Sequence, residues 1–87
     1  MYAVVIPVSF NDRAAAQDEL AQLVPQVAGI PGFIAGYWVA LSDAEGTAMM
    51  VFESEDGANA VAAQAKGAPA AAVTALSVAV GEVMAHA

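Results

Sequence analysis

Phe33-Ile34-Ala35-Gly36-Tyr37-Trp38-Val39-Ala40-Leu41, then Ser42-Asp43-Ala44-Glu45-Gly46, then Thr47-Ala48-Met49-Met50-Val51-Phe52-Glu53 is the stretch on which the fold turns. Two runs rich in β-branched and aromatic residues flank a polar segment that ends in glycine. That pattern predicts a β-hairpin, with strands over 33–41 and 47–53 and a loop over 42–46. What lies on either side decides which kind of domain contains the hairpin.

Upstream, Gly29-Ile30-Pro31-Gly32 stops whatever precedes it. Before that stop, Ala16, Leu20, Leu23 and Val27 recur at helical spacing, so Arg13 to about Ala28 reads as an amphipathic helix. Asn11 and Asp12 supply its N-terminal cap. Pro25 lacks the N–H for a helical bond and is expected to kink or shorten the last turn. Tyr-Ala-Val-Val-Ile-Pro-Val-Ser, residues 2–9, reads as a first strand. Downstream, Ser54 caps a second helix. Glu55 and Asp56 occupy its positive N-terminal end, Lys66 its last turn, Gly67 the C′ position, and Pro69 blocks continuation. In the final segment Leu76, Val78 and Val80 alternate with Ser77, Ala79 and Gly81. That period of two predicts a long fourth strand from Val73 to about His86, bent at Gly81.

The order is βαββαβ, the split arrangement of α+β, ferredoxin-like domains. It implies a four-stranded antiparallel sheet with both helices on one face, and one domain over residues 1–87. Its first strand is central, where Pro7 removes a ladder hydrogen bond. Pro7 is therefore expected at a bulge or near the strand's end.

Composition narrows the function classes. The chain of 87 residues has no cysteine, hence no disulfide framework, thiolate metal site or cysteine nucleophile. Nine acids against Arg13 and Lys66 give a net charge of −7. Nucleic-acid binding needs clustered cations to neutralise phosphates, and anionic membranes need the same, so neither partner is expected. No apolar stretch is long enough to span a bilayer, and the N-terminus lacks the basic start of a signal peptide; a cytoplasmic location is expected. Hydrophobic residues make up 60% of the chain, too many for a disordered segment.

The strands lack the apolar-in, polar-out alternation of a sheet with one wet face. Tyr2, Val4, Ile6 and Val8 oppose Ala3, Val5 and Pro7. Phe33, Ala35, Tyr37, Val39 and Leu41 oppose Ile34, Gly36, Trp38 and Ala40. Met49 and Val51 oppose Ala48, Met50 and Phe52. Two helices cover one face, and the other is too apolar to stand in water. A homodimer with sheets packed face to face is expected.

The element order, the doubly apolar sheet, the run Pro31-Gly32-Phe33-Ile34-Ala35-Gly36-Tyr37-Trp38 and the run Val51-Phe52-Glu53-Ser54-Glu55 resemble the dimeric α+β barrel superfamily. Within it, the chain is most similar to the antibiotic-biosynthesis-monooxygenase-like group. The resemblance covers essentially the whole chain. It implies a barrel-like dimer of two sheets, with a pocket between each sheet and its helices. Members include cofactor-independent oxygenases, haem degraders and proteins of no known activity, so the fold leaves the chemistry open.

Tyr37 and Trp38 are adjacent on a strand and point to opposite faces, one toward the helices and one toward the partner. Either could wall a pocket for a small hydrophobic ligand, with Met49, Met50 and Phe52 beside it, although core or interface packing is the commoner use of such residues. His86 is the one imidazole, a general base if the last strand folds over a pocket and a tail residue otherwise. Glu82, four residues earlier, could orient it. Haem degraders of the superfamily use an Asn, a Trp and a His, and Asn11, Trp38 and His86 supply those types. Their positions do not correspond, because neither helix here carries a His, so no cofactor is expected. Glu53, Glu55 and Asp56 lack the loop of a calcium site, and no metal is expected. Two functions follow: a dimer that binds a small hydrophobic ligand or has a structural role, or a cofactor-independent monooxygenase-like enzyme for an aromatic or polyketide-like substrate, with Trp38, Tyr37 and His86 as candidate catalytic residues. Such an enzyme needs a group to anchor a phenolate, and Arg13 and Lys66 are expected in solvent.

Overall fold

The computed structural model describes residues 1–67 and 72–87. Its elements are β1 (Tyr2–Phe10), α1 (Arg13–Ala28), β2 (Phe33–Ala40), β3 (Glu45–Phe52), α2 (Glu55–Gly67), β4 (Val73–Ala75) and β5 (Ala79–Glu82). All strand pairs are antiparallel, in the order β2-β3-β1-β4, with β5 also paired to β1. This is the ferredoxin-like α+β arrangement, with the last strand in two pieces.

The split is the work of Pro7. Val8 pairs with Ala75, but Val5 pairs with Ala79, so Leu76-Ser77-Val78 oppose only Pro7 and Ile6. The Pro7 carbonyl accepts from Leu76 N at 2.8 Å, which aims Pro7 at the last strand. A strand residue directs its N–H and C=O to the same neighbour, so the donor that Pro7 lacks faces the extra residue, where no acceptor waits for it. The bend expected at Gly81 is therefore absent: Gly81 pairs in register with Ala3, and the break falls at 76–78. The expected run to His86 also stops early, at Glu82, although Val83 N still donates to Met1 O at 3.0 Å. Pro69 lies outside the described residues.

The helix ends follow capping chemistry. Asp12 caps α1, its carboxylate accepting from Ala15 N at 3.1 Å, and Ser54 Oγ accepts from Gly57 N at 3.2 Å at the start of α2. Pro25 does not shorten α1, which runs on to Ala28. So near the C-terminus the missing N–H deprives just the Ala21 carbonyl of its helical donor. Gly32, at φ +84°, makes the turn into β2 in a conformation that favours glycine.

The hairpin loop is tighter than its polar composition suggests. Glu45 and Gly46 belong to β3, paired with Ser9 and Val8, and the turn is Leu41 to Ala44. Ser42 Oγ accepts from both Ala44 N and Glu45 N, closing it. A second correction concerns β2. The pairing steps from Phe33↔Phe52 to Ala35↔Val51, so Ile34 is a bulge residue. That extra residue puts Phe33 on the same face as Gly36 and Trp38, not with Tyr37 as strict alternation predicts.

The core is the sheet face bearing Val4, Ile6, Val8, Ala48, Met50 and Phe52, closed by Ala58, Val61 and Ala62 of α2 and Val27 of α1. Phe33 and Phe52 meet edge to face at 5.7 Å between ring centres. The opposite face carries Ala3, Val5 and Pro7 of β1, Ala35, Tyr37 and Val39 of β2, and Thr47, Met49 and Val51 of β3. Val5, Met49 and Tyr37 stand in one cross-strand row and are 38%, 40% and 59% exposed. Among the described residues, no element covers that row.

Candidate functional site

Side-chain volume is distributed unevenly under the two helices. Beneath α2 the sheet offers Val4 and Phe52, both fully buried. Beneath α1 it offers Ala48, and α1 presents Ala21 to the same layer. Ala16 and Val27 are the buried residues of α1; Leu20 is half-buried and Leu23 is exposed. Small residues on both sides cannot fill the layer between helix and sheet to the density of a protein interior.

The result is an open cleft of about 700 Å³. One wall is α1, through Gln17, Leu20, Ala21, Val24 and Pro25; the other is the sheet, through Val8, Phe10, Trp38, Ala40 and Ala48. A second cleft of about 400 Å³ shares Val8, Leu20, Trp38, Ala48 and Val73 with the first and extends to Met50, Ala65 and Val78. The two adjoin along that shared wall, with Trp38 common to both parts, and the larger is of small-molecule size.

Trp38 is held by the glycine two residues before it. A Cβ on Gly36 would stand 2.7 Å from the indole Cη2 and 3.2 Å from Phe33 Cζ, so the indole lies over Gly36 beside the Phe33 ring. Gly36→Ala is expected to push the far end of the indole into the cleft at small cost in stability. The check is the emission of Trp38, the chain's single tryptophan: an unchanged maximum in a folded variant contradicts this seat.

Both cations of the chain border this space. Arg13 borders the larger part and Lys66 the smaller, and both are exposed to solvent as expected. They sit at the rim: Lys66 is exposed, and Arg13 is half exposed, its Nη1 3.1 Å from Asp43 Oδ1 at the hairpin tip. None of the nine acids lines either part. The signal for these residues was in the sequence as a stripe: Arg13, Gln17, Leu20 and Val24 follow helical spacing along one face of α1.

The residues singled out by sequence are dispersed. Trp38 lines both parts of the cleft and Met50 the smaller. Phe52 is fully buried in the core. Tyr37 and Met49 lie on the open face of the sheet, away from the cleft. His86 is exposed beyond the last strand, and Glu82 is the cross-strand partner of Tyr2, beside its phenol. The Glu55 carboxylate, and after it Glu82, raise the pKa of that phenol above its ordinary value by disfavouring a further negative charge. Asn11, one of the three residue types shared with haem degraders, donates from Nδ2 to Thr74 Oγ1 at 3.4 Å. Among the described residues, no group of three His, Asp or Glu is placed to hold a metal, and no helix is long and apolar enough to cross a membrane.

Among solved structures, the chain resembles the crystal structure of a protein of unknown function from Nitrosomonas europaea. The TM-score is 0.68 at 18% identity, over 99% of this chain and 91% of that one. The likeness extends through the whole domain and establishes the shared fold. No family model and no curated protein matches the sequence.

Proposed function

We propose that this protein is a homodimeric binding module for a small, mainly apolar molecule held between α1 and the sheet. The observation that carries the reading is the cleft itself. It is mainly apolar, of ligand size, and walled by an indole whose position a glycine secures. The dimer is supported by the open sheet face. Its central block, Ala3-Val5-Pro7, Ala35-Tyr37-Val39 and Thr47-Met49-Val51, contains no charge in a chain that carries eleven charged residues (nine acids, two bases). A surface laid out for water would have drawn some of them. A second copy presenting the same face is the occupant such a self-complementary apolar block favours.

The test is a titration with N-phenyl-1-naphthylamine, a neutral apolar probe, read from its own emission. Saturable binding at about one probe per chain is expected, suppressed in Leu20→Trp, which puts bulk at a position common to both parts of the cleft. Absence of saturation in the native protein, or equal binding by a folded Leu20→Trp, overturns the reading.

A specific observation also favours a second reading, a cofactor-independent monooxygenase-like enzyme of the antibiotic-biosynthesis-monooxygenase-like group. Such chemistry calls for a positive group to hold a phenolate, and Arg13 borders the same cleft as Trp38. Against it stand the distances in the fold: Tyr37 and His86 are not among the lining residues, which leaves no evident base. Binding is therefore the reading that the cleft supports best.

A further inference from the structure

The charges of this chain are sorted around the cleft in a way its apolar walls do not require. Nine acids dominate the molecule, and none lines the cleft; the two bases both do. We infer that the cleft selects amphipathic anions: molecules with an elongated or flat apolar body and one carboxylate, bound with the carboxylate at Arg13 and the body along Leu20 and Trp38. This rests on the binding role proposed above and names the chemical class of its ligand.

Arg13 is the better seat for the carboxylate for three reasons. It borders the larger part of the cleft. Gln17, one turn further along α1, lines the same part and adds an amide donor beside the guanidinium. The existing partner, Asp43, uses one of the guanidinium's donors and is almost wholly in water, where an ion pair is weak and exchangeable. A guanidinium has five N–H groups in a planar fork, so a ligand carboxylate can be accepted beside Asp43 or in its place. The apolar body then follows the wall toward Trp38 and Leu20, which belong to both parts of the space. The net charge of −7 works against any anion at long range, so selectivity has to arise locally. The exclusion of every acid from the lining, with a base at the rim, is such a local arrangement.

The experiment compares dodecanoate with dodecanol, each below its aggregation threshold, as competitors of N-phenyl-1-naphthylamine on the native chain, Arg13→Gln and Lys66→Gln. Native protein is expected to prefer dodecanoate by about ten-fold or more, as suits a charge-assisted pair. Arg13→Gln is expected to lose that preference while still binding dodecanol, and Lys66→Gln to keep most of it. Equal binding of the two competitors by native protein overturns the inference and leaves the apolar-ligand role standing. Loss of the preference in Lys66→Gln but not in Arg13→Gln overturns the assignment to Arg13. Failure of both competitors and of the probe itself removes the binding role too. Circular dichroism of each variant verifies that it is folded, and Arg13→Lys, which restores the charge, is expected to recover part of the preference.

Discussion

Phe52→Ala is expected to remove about 3–5 kcal/mol of stability, the usual cost of truncating a fully buried aromatic residue. Phe52 has no exposed surface, stands opposite Tyr2 on one side and Phe33 on the other, and meets the Phe33 ring edge to face. It also reaches α2, whose Gly57 Cα carries no side chain where the Phe52 ring passes. One residue thus ties three strands to a helix. A chain of this length has about 4–13 kcal/mol of stability in all, so the loss takes at least about a quarter of it and at most all of it. Chemical denaturation at fixed protein concentration measures it; the concentration must be held because a dimer's midpoint depends on it. Phe52→Leu, which keeps most of the volume, is expected to lose markedly less. A loss below about 1 kcal/mol for Phe52→Ala would mean that the core is organised around something else.

The second large effect is expected from Met49→Glu, which places a carboxylate in the middle of the open sheet face. Met49 has Val5 on one side and Tyr37 on the other, and it is 40% exposed in the single chain, so the monomer can tolerate the charge. A face-to-face dimer cannot. The carboxylate would be buried against apolar side chains and, by symmetry, set near its own copy. An unpaired buried charge costs about 3–5 kcal/mol, which corresponds to a rise in the dissociation constant of at least about 100-fold. Light scattering after size exclusion, at tens of micromolar protein, is expected to show a dimer for the native chain and a monomer for the variant, with unchanged circular dichroism. A native protein that elutes as a monomer sinks the interface, as does a variant that stays dimeric.

The elements and their order were legible because they depend on local chemistry. Asp12 and Ser54 cap helices wherever they precede an alanine-rich run, and Gly29-Ile30-Pro31-Gly32 ends one in any context. Pro7 announced a bulge or a strand end because the missing donor travels with the residue itself. What could not be read was the residue count on the opposing strand. The extra residue lies at 76–78 rather than at Gly81, since the bulge is set by what faces Pro7 and not by local flexibility. Likewise Ile34 is an ordinary strand residue by composition, and its bulge exists through pairing with β3. That single irregularity decided that Phe33 joins Trp38 on the core side.

The candidate site shows the same division. The sequence by itself determined that Tyr37 and Trp38 part company across the sheet, that one sheet face is left apolar, and that cations are scarce. Those are consequences of strand periodicity and composition, which need no partner to be true. Only the tertiary structure decided that Trp38 is the one facing the helices, that the layer under α1 is underfilled, and that Arg13 and Lys66, 53 positions apart in the chain, border adjoining clefts. Each of these is a sum over residues from different elements. A cleft is the volume that facing side chains fail to fill, and no segment carries that quantity alone.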